Sequence, residues 1–170
     1  MGPLSLDIDI DAPRERVFDA ICDLGLRPEW ARDFAADYHL ARLESRGEGA
    51  AARFRADAPG GIRFMETVIS RAERPHTVVE HGRGGRRDRI AVRAVWELSG
   101  GEGSVTSVKL TFWTEPPTIH RLRELRAGGW WRRRWRRALA RLRDLLESGD
   151  ELRPVVGVAG GDRQPLDSRP

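Results

Sequence analysis

From about Tyr38 to Thr114 the chain runs in short segments of apolar and polar residues. They are punctuated by Gly47 and Gly49, by Pro59-Gly60-Gly61, by Pro75, by Gly82 to Gly85 and by Gly100-Gly101. Links this short join antiparallel neighbours, because a parallel crossover needs about a dozen residues or more. The clearest strands are the last two. Ile90, Val92, Ala94, Trp96 and Leu98 alternate with Ala91, Arg93, Val95 and Glu97, and Val108, Leu110 and Phe112 alternate with Lys109, Thr111 and Trp113. In the strand over Phe64 to Ser70, Phe64, Glu66 and Val68 compete with Met65, Thr67 and Ile69 for the inside, and period alone leaves both faces open.

Four further elements frame this sheet. Leu4, Leu6, Ile8 and Ile10 alternate with polar residues and predict a first strand. Asp11 then offers a helix cap and Pro13 a first-turn proline ahead of Val17, Phe18, Ile21 and Cys22 at helical spacing; Pro28 opens a second short helical turn in which Trp30 and Phe34 share a face. After Pro116-Pro117, Thr118 is positioned to cap a long helix reaching about Glu147, with Leu122, Leu125, Trp131, Trp135, Ala138, Leu139, Leu142 and Leu146 on one side. Gly128-Gly129 interrupts that pattern at about 1 kcal/mol per glycine relative to alanine, which predicts a kink or a close approach there.

The fold class that results is α+β: a curved seven-stranded antiparallel sheet around a long C-terminal helix, with two short helices after the first strand. Seven strands at about 4.8 Å spacing make a sheet roughly 30 Å wide, whereas one helix with its side chains is about 10–12 Å thick. The sheet must curl around the helix, and a twisted sheet meets a straight rod along only part of its length, so an internal cavity is expected. The chain of 170 residues, 39% of them hydrophobic, fits one core. The domain is expected over residues 1–147, with 148–170, rich in glycine and proline and without apolar period, as a flexible tail.

Charge and cysteine content bound the function classes. The net charge of +4 comes with 30 basic residues, of which only Lys109 is lysine, a skew that fits a GC-rich coding sequence better than a nucleic-acid footprint. One cysteine, Cys22, excludes an internal disulfide framework. With neither a leader pattern at Met1 nor an apolar run of 18 residues, the expected location is cytoplasmic.

The order of elements, strand, two short helices, six strands and a long helix, resembles the helix-grip arrangement of the START-like and Bet v 1-like (SRPBCC) superfamily, in the group labelled polyketide cyclase/dehydrase. The resemblance rests on Ile10-Asp11-Ala12-Pro13 leading to Val17-Phe18, on the segment from Asp23 to Trp30, on Gly47-Glu48-Gly49 before a strand, and on Arg74-Pro75 between strands. It covers about Leu4 to Glu147 and implies a pocket for lipids, sterols, polyketides, quinones or other apolar ligands, with catalysis in only some members.

The search for chemistry supports binding over reaction. His39, His76, His81 and His120 lack metal-ligand spacing, so no metal and no cofactor are expected. No nucleophile elbow or phosphate loop is present, and Cys22 reads as a small core residue. Trp30, Phe34, Tyr38, Phe54, Met65, His81, Trp96, Phe112, Trp131 and Trp135 are the candidate ligand-binding residues, each weighed against plain core packing. Tyr38, His81, an inward Glu66 or an inward arginine could exchange protons.

The expected function is therefore to bind or carry a hydrophobic small molecule of the lipid, polyketide or quinone class. The enzymatic alternative is a polyketide cyclase/dehydratase that folds a reactive chain in a shaped pocket. Arg132, Arg133, Arg134, Arg136 and Arg137, beside Trp130, offer a third reading, a contact with RNA, the ribosome or a membrane surface, against the bland reading of a solvated helix face.

Overall fold

A computed structural model describes residues 2–59, 61–100, 104–115 and 121–149. Its elements are β1 (Leu4–Asp11), α1 (Arg14–Cys22), α2 (Arg27–Ala31), β2 (Ala36–Leu40), β3 (Ala51–Ala58), β4 (Ile62–Glu73), β5 (Thr77–Gly84), a short 3₁₀ turn (Arg86–Asp88), β6 (Ile90–Gly100), β7 (Val105–Glu115) and α3 (Arg121–Glu147). The seven strands form one antiparallel sheet in the order β1-β7-β6-β5-β4-β3-β2. This is the expected helix-grip arrangement, with β1 and β2 at the two open edges.

The inward faces follow the hydrophobic period. Leu4, Leu6 and Ile10 of β1, Ile90 to Leu98 at alternate positions of β6, and Val108, Leu110 and Phe112 of β7 are buried. The ambiguous strand is resolved: Met65, Thr67 and Ile69 of β4 face in, and Phe64 and Glu66 are exposed. Pairing decides it, because Ile69 stands beside inward Glu80 while Val68 stands beside outward His81. An inward Glu66 is thereby corrected.

α3 lays Ala127, Trp131, Trp135, Ala138, Leu142 and Leu146 against the sheet, β1 and α2. It is continuous through Gly128-Gly129, and a Cβ built on Gly129 would meet nothing within 4 Å, so no close approach explains that glycine. The cap expected from Asp11 is also corrected: Asp11 ends β1, and Pro13 takes the N-cap position of α1 without a side-chain hydrogen bond. Thr118 and the tail from 150 onward lie outside the described residues, as do the side chains of Leu122 and Leu125. Among the described residues no helix is long and apolar enough to cross a membrane.

Candidate ligand site between the sheet and the long helix

Aromatic side chains from six parts of the chain converge on the concave face of the sheet. Phe34, just after α2, sits 4.6 Å from Trp135 and 5.6 Å from Trp131, centroid to centroid. Phe112 of β7 contacts the same two rings at 5.5 and 4.8 Å. Trp30 and Trp96 meet edge to face at 5.9 Å, and Tyr38 stacks on Phe54 at 5.6 Å. Such contacts contribute beyond area burial and hold the rings in fixed orientations.

At the centre of this apolar surround lies a charged pair. Arg27 Nη2 donates to Glu80 Oε1 at 2.7 Å and Nη1 donates to Glu80 Oε2 at 3.3 Å, with both side chains only 5% exposed. Glu80 also accepts from the Trp96 indole N–H at 2.7 Å and from the Thr67 hydroxyl at 2.9 Å. Arg27 donates further to the Ile21 carbonyl and lies 4.6 Å over the Trp30 ring. Burial alone would lower the affinity of Arg27 for its proton, but the charge and hydrogen bonds of Glu80 outweigh it and hold the guanidinium above its ordinary range. Glu80 accepts four hydrogen bonds, two of them from a cation, which makes it an anchor rather than a free acid.

The space enclosed by Arg27, Glu80, Thr67, Phe34, Phe54 and Trp135, together with Met65 and Phe112, is a cavity of about 10 Å³. That is the threshold for holding one water. The void expected from the mismatch of sheet and helix is thus filled almost completely by tryptophan and phenylalanine. Phe34, Phe54, Met65, Phe112 and Trp135 line what remains; Trp30, Trp96, Trp131 and Tyr38 pack around it. His81 does not join them, because it is exposed on the outer face of β5, one residue out of phase with Glu80. The placement of His81 in the interior is corrected on that ground.

Several polar atoms in this interior are left without a partner. The indole N–H groups of Trp30, Trp131 and Trp135, the Tyr38 hydroxyl and Arg27 Nε are buried and make no hydrogen bond. Burial pushes the Tyr38 phenol well above its ordinary range, so it stays a protonated donor. Burial likewise raises the Cys22 thiol and keeps it from being a thiolate nucleophile. No three metal-ligating side chains converge among the described residues.

Residue type and spacing alone do not single out Arg27, Thr67 or Glu80. Glu80 carried a usable signal, since it holds the same phase of β5 as Val78, and a carboxylate at an inward position requires a buried partner.

The family model described as polyketide cyclase/dehydrase and lipid transport matches residues 1–147. The chain belongs to that family. No curated protein matches it. Solved structures similar to this polyketide cyclase/dehydrase family member include the KanY protein, at 22% identity and a TM-score of 0.67, covering 86% of this chain and 99% of that one. A protein from Thermus thermophilus, TTHA0849, is 21% identical with a TM-score of 0.63, covering 88% of this chain and 99% of its own. A third, DynU16, is a protein of the dynemicin biosynthetic locus: 19% identity, TM-score 0.59, 92% of this chain and 51% of that one. At these identities the likeness is one of fold, which this family member shares with them.

Proposed function

We propose that this family member binds an apolar small molecule carrying acceptor oxygens, of the polyketide or quinone class, between α3 and the concave face of the sheet. The observation that carries this reading is the set of unpartnered donors. Trp30, Trp131, Trp135, Tyr38 and Arg27 each hold a buried N–H or O–H without a partner, while the Glu80 carboxylate at the cavity is already saturated. A buried donor without an acceptor costs about 1–3 kcal/mol. A hydrocarbon would leave that cost in place, whereas a carbonyl-bearing ligand would relieve it. Because the present space is about 10 Å³, binding requires Phe34 and Trp135 to move apart and the grip of α3 to loosen.

An enzymatic reading, a cyclase or dehydratase, draws on Tyr38, whose protonated, unpartnered hydroxyl is the one neutral O–H among those donors. The relation to a protein of a biosynthetic locus agrees with it.

The test is calorimetric titration with 2-methyl-1,4-naphthoquinone and with 2-methylnaphthalene, which share a skeleton and differ in the acceptors. The quinone should bind at least about ten-fold more tightly, and Trp135→Phe, which removes one donor and keeps a ring, should narrow the difference by a few-fold. Equal affinities, or no binding of either, would overturn the proposal.

A further inference from the structure

β1 is an edge strand, and its free side is not bare surface. A groove of about 330 Å³ runs between it and α3, with Leu6, Ile8 and Leu139 giving it apolar lining and Arg132 and Arg136 standing on the helix side. Both arginines are exposed, and neither forms an ion pair with another described residue. Elsewhere the basic side chains are commonly matched, as in Arg74 with Asp19, Arg141 with Asp33 and Lys109 with Glu97.

The direction of the free backbone groups follows from one hydrogen bond. The Asp11 N–H, at the end of β1, points away from β7 and donates to the Glu147 carboxylate at 3.0 Å. In an antiparallel ladder the N–H and C=O of one residue point to the same side, and alternate residues point the same way. The register between β1 and β7 is unbroken from Leu4 to Asp11. The N–H and C=O groups of Ser5, Asp7 and Asp9 therefore face the open edge, and the Glu147 carboxylate already fills the next slot.

We infer that this groove is a strand-addition site for an extended acidic peptide of another protein. Main-chain hydrogen bonds to Ser5, Asp7 and Asp9 would hold such a peptide, and its alternate side chains would divide between two environments. Those turned toward α3 meet Arg132 and Arg136 and are carboxylates. Those on the outer face lie beside Asp7 and Asp9 and are neutral or basic. A second copy of this chain does not fit, because a two-fold pairing of β1 with itself sets Asp7 and Asp9 against the same acids, a known guard against edge association. A nucleic-acid strand also fits poorly: its phosphates would satisfy the two arginines but offer no donors to the Ser5, Asp7 and Asp9 carbonyls.

The experiment uses the full chain and a fluorescein-labelled peptide of four Thr-Glu repeats, acetylated and amidated, read by fluorescence anisotropy. Saturable one-to-one binding is expected. It should weaken at least about ten-fold with the Thr-Lys analogue, with a peptide N-methylated at alternate amides, and with the double variant Arg132→Glu, Arg136→Glu. Circular dichroism should report that variant as folded, since both side chains are solvent-facing; Arg132→Gln, Arg136→Gln serves as a milder second variant. Unchanged affinity on N-methylation would reduce the contact to charge alone and overturn strand addition. The inference also fails if the arginine variants bind normally, if a short single-stranded RNA or anionic vesicles displace the peptide, or if binding appears only after residues 150–170 are removed.

Discussion

Arg27 and Glu80 meet at 2.7 Å inside an interior rich in aromatic rings, joining α2 to the middle of the sheet across 53 residues of sequence. Removing one partner leaves an uncompensated buried charge. Glu80→Ala should therefore cost about 3–5 kcal/mol, read as a fall in the midpoint of urea unfolding. The double variant Arg27→Met, Glu80→Leu should recover most of that loss, because an apolar pair of similar volume carries no charge to desolvate. A double variant as unstable as Glu80→Ala would mean that the pair holds the site by shape and not by charge balance.

Two glycines should respond in opposite directions to alanine. At Gly82 an added Cβ would collide with the Glu66 carbonyl oxygen of the neighbouring strand, so Gly82→Ala should destabilise by about 1–3 kcal/mol through displacement of β4 from β5. At Gly129, exposed within α3, a Cβ meets nothing, and Gly129→Ala should stabilise by about 0.4–1 kcal/mol. Thermal midpoints of the two variants compared with the parent check both.

Tyr38 is the only tyrosine in the chain, which makes its phenol visible by ultraviolet absorbance near 295 nm. Its ionisation should begin only above the ordinary value of about 10. The sign for stability follows from the raised folded-state value: the unfolded chain loses this proton first. The contribution of Tyr38 is thus fully present below pH of about 10 and is lost as the pH climbs beyond it. Alkaline unfolding and the absorbance rise should coincide. A normal titration in the folded protein would place the hydroxyl in water.

Trp135 is closed in by Phe34, Trp96 and Phe112, and the adjoining void is close to one water in size. Trp135→Ala should behave as a core truncation, losing about 3–5 kcal/mol, and should leave a hole that admits a small aromatic such as indole. Calorimetric stabilisation by added indole in the variant, absent in the parent, is the expected result. A variant that loses much less would show that the ring stands at the wall of a larger space.

The fold was legible where one period dominated. Trp96 and Phe112 stand in runs whose alternation leaves one choice of inner face, and both are buried there. The strand holding Met65 offered two equally apolar phases, and its face is set by pairing with β5, which is not a property of the strand itself. The aromatic candidates were found because indole and phenyl groups at inward phase go inside whatever the function. Arg27 and Glu80 were missed because a charged residue read one at a time belongs on the surface, and only the folded sheet brings its partner to it. His81 was misplaced by the reverse error: a chemically capable side chain on the outward phase.

Ser5 of β1 and Thr111 of β7 lie side by side, yet 106 residues separate them in sequence. During synthesis β1 leaves the ribosome first and waits for nearly the whole domain before its neighbour exists. Until then β6 forms the second open edge, and the inward faces of β4, β5 and β6, with Met65, Val78 and Trp96, lack the cover of α3. Long-range closure of this kind slows folding and exposes sticky intermediates. A chain stopped short of Val105 would therefore be a client for chaperones, and the protein becomes self-sufficient in one late step, when β7 and α3 emerge together.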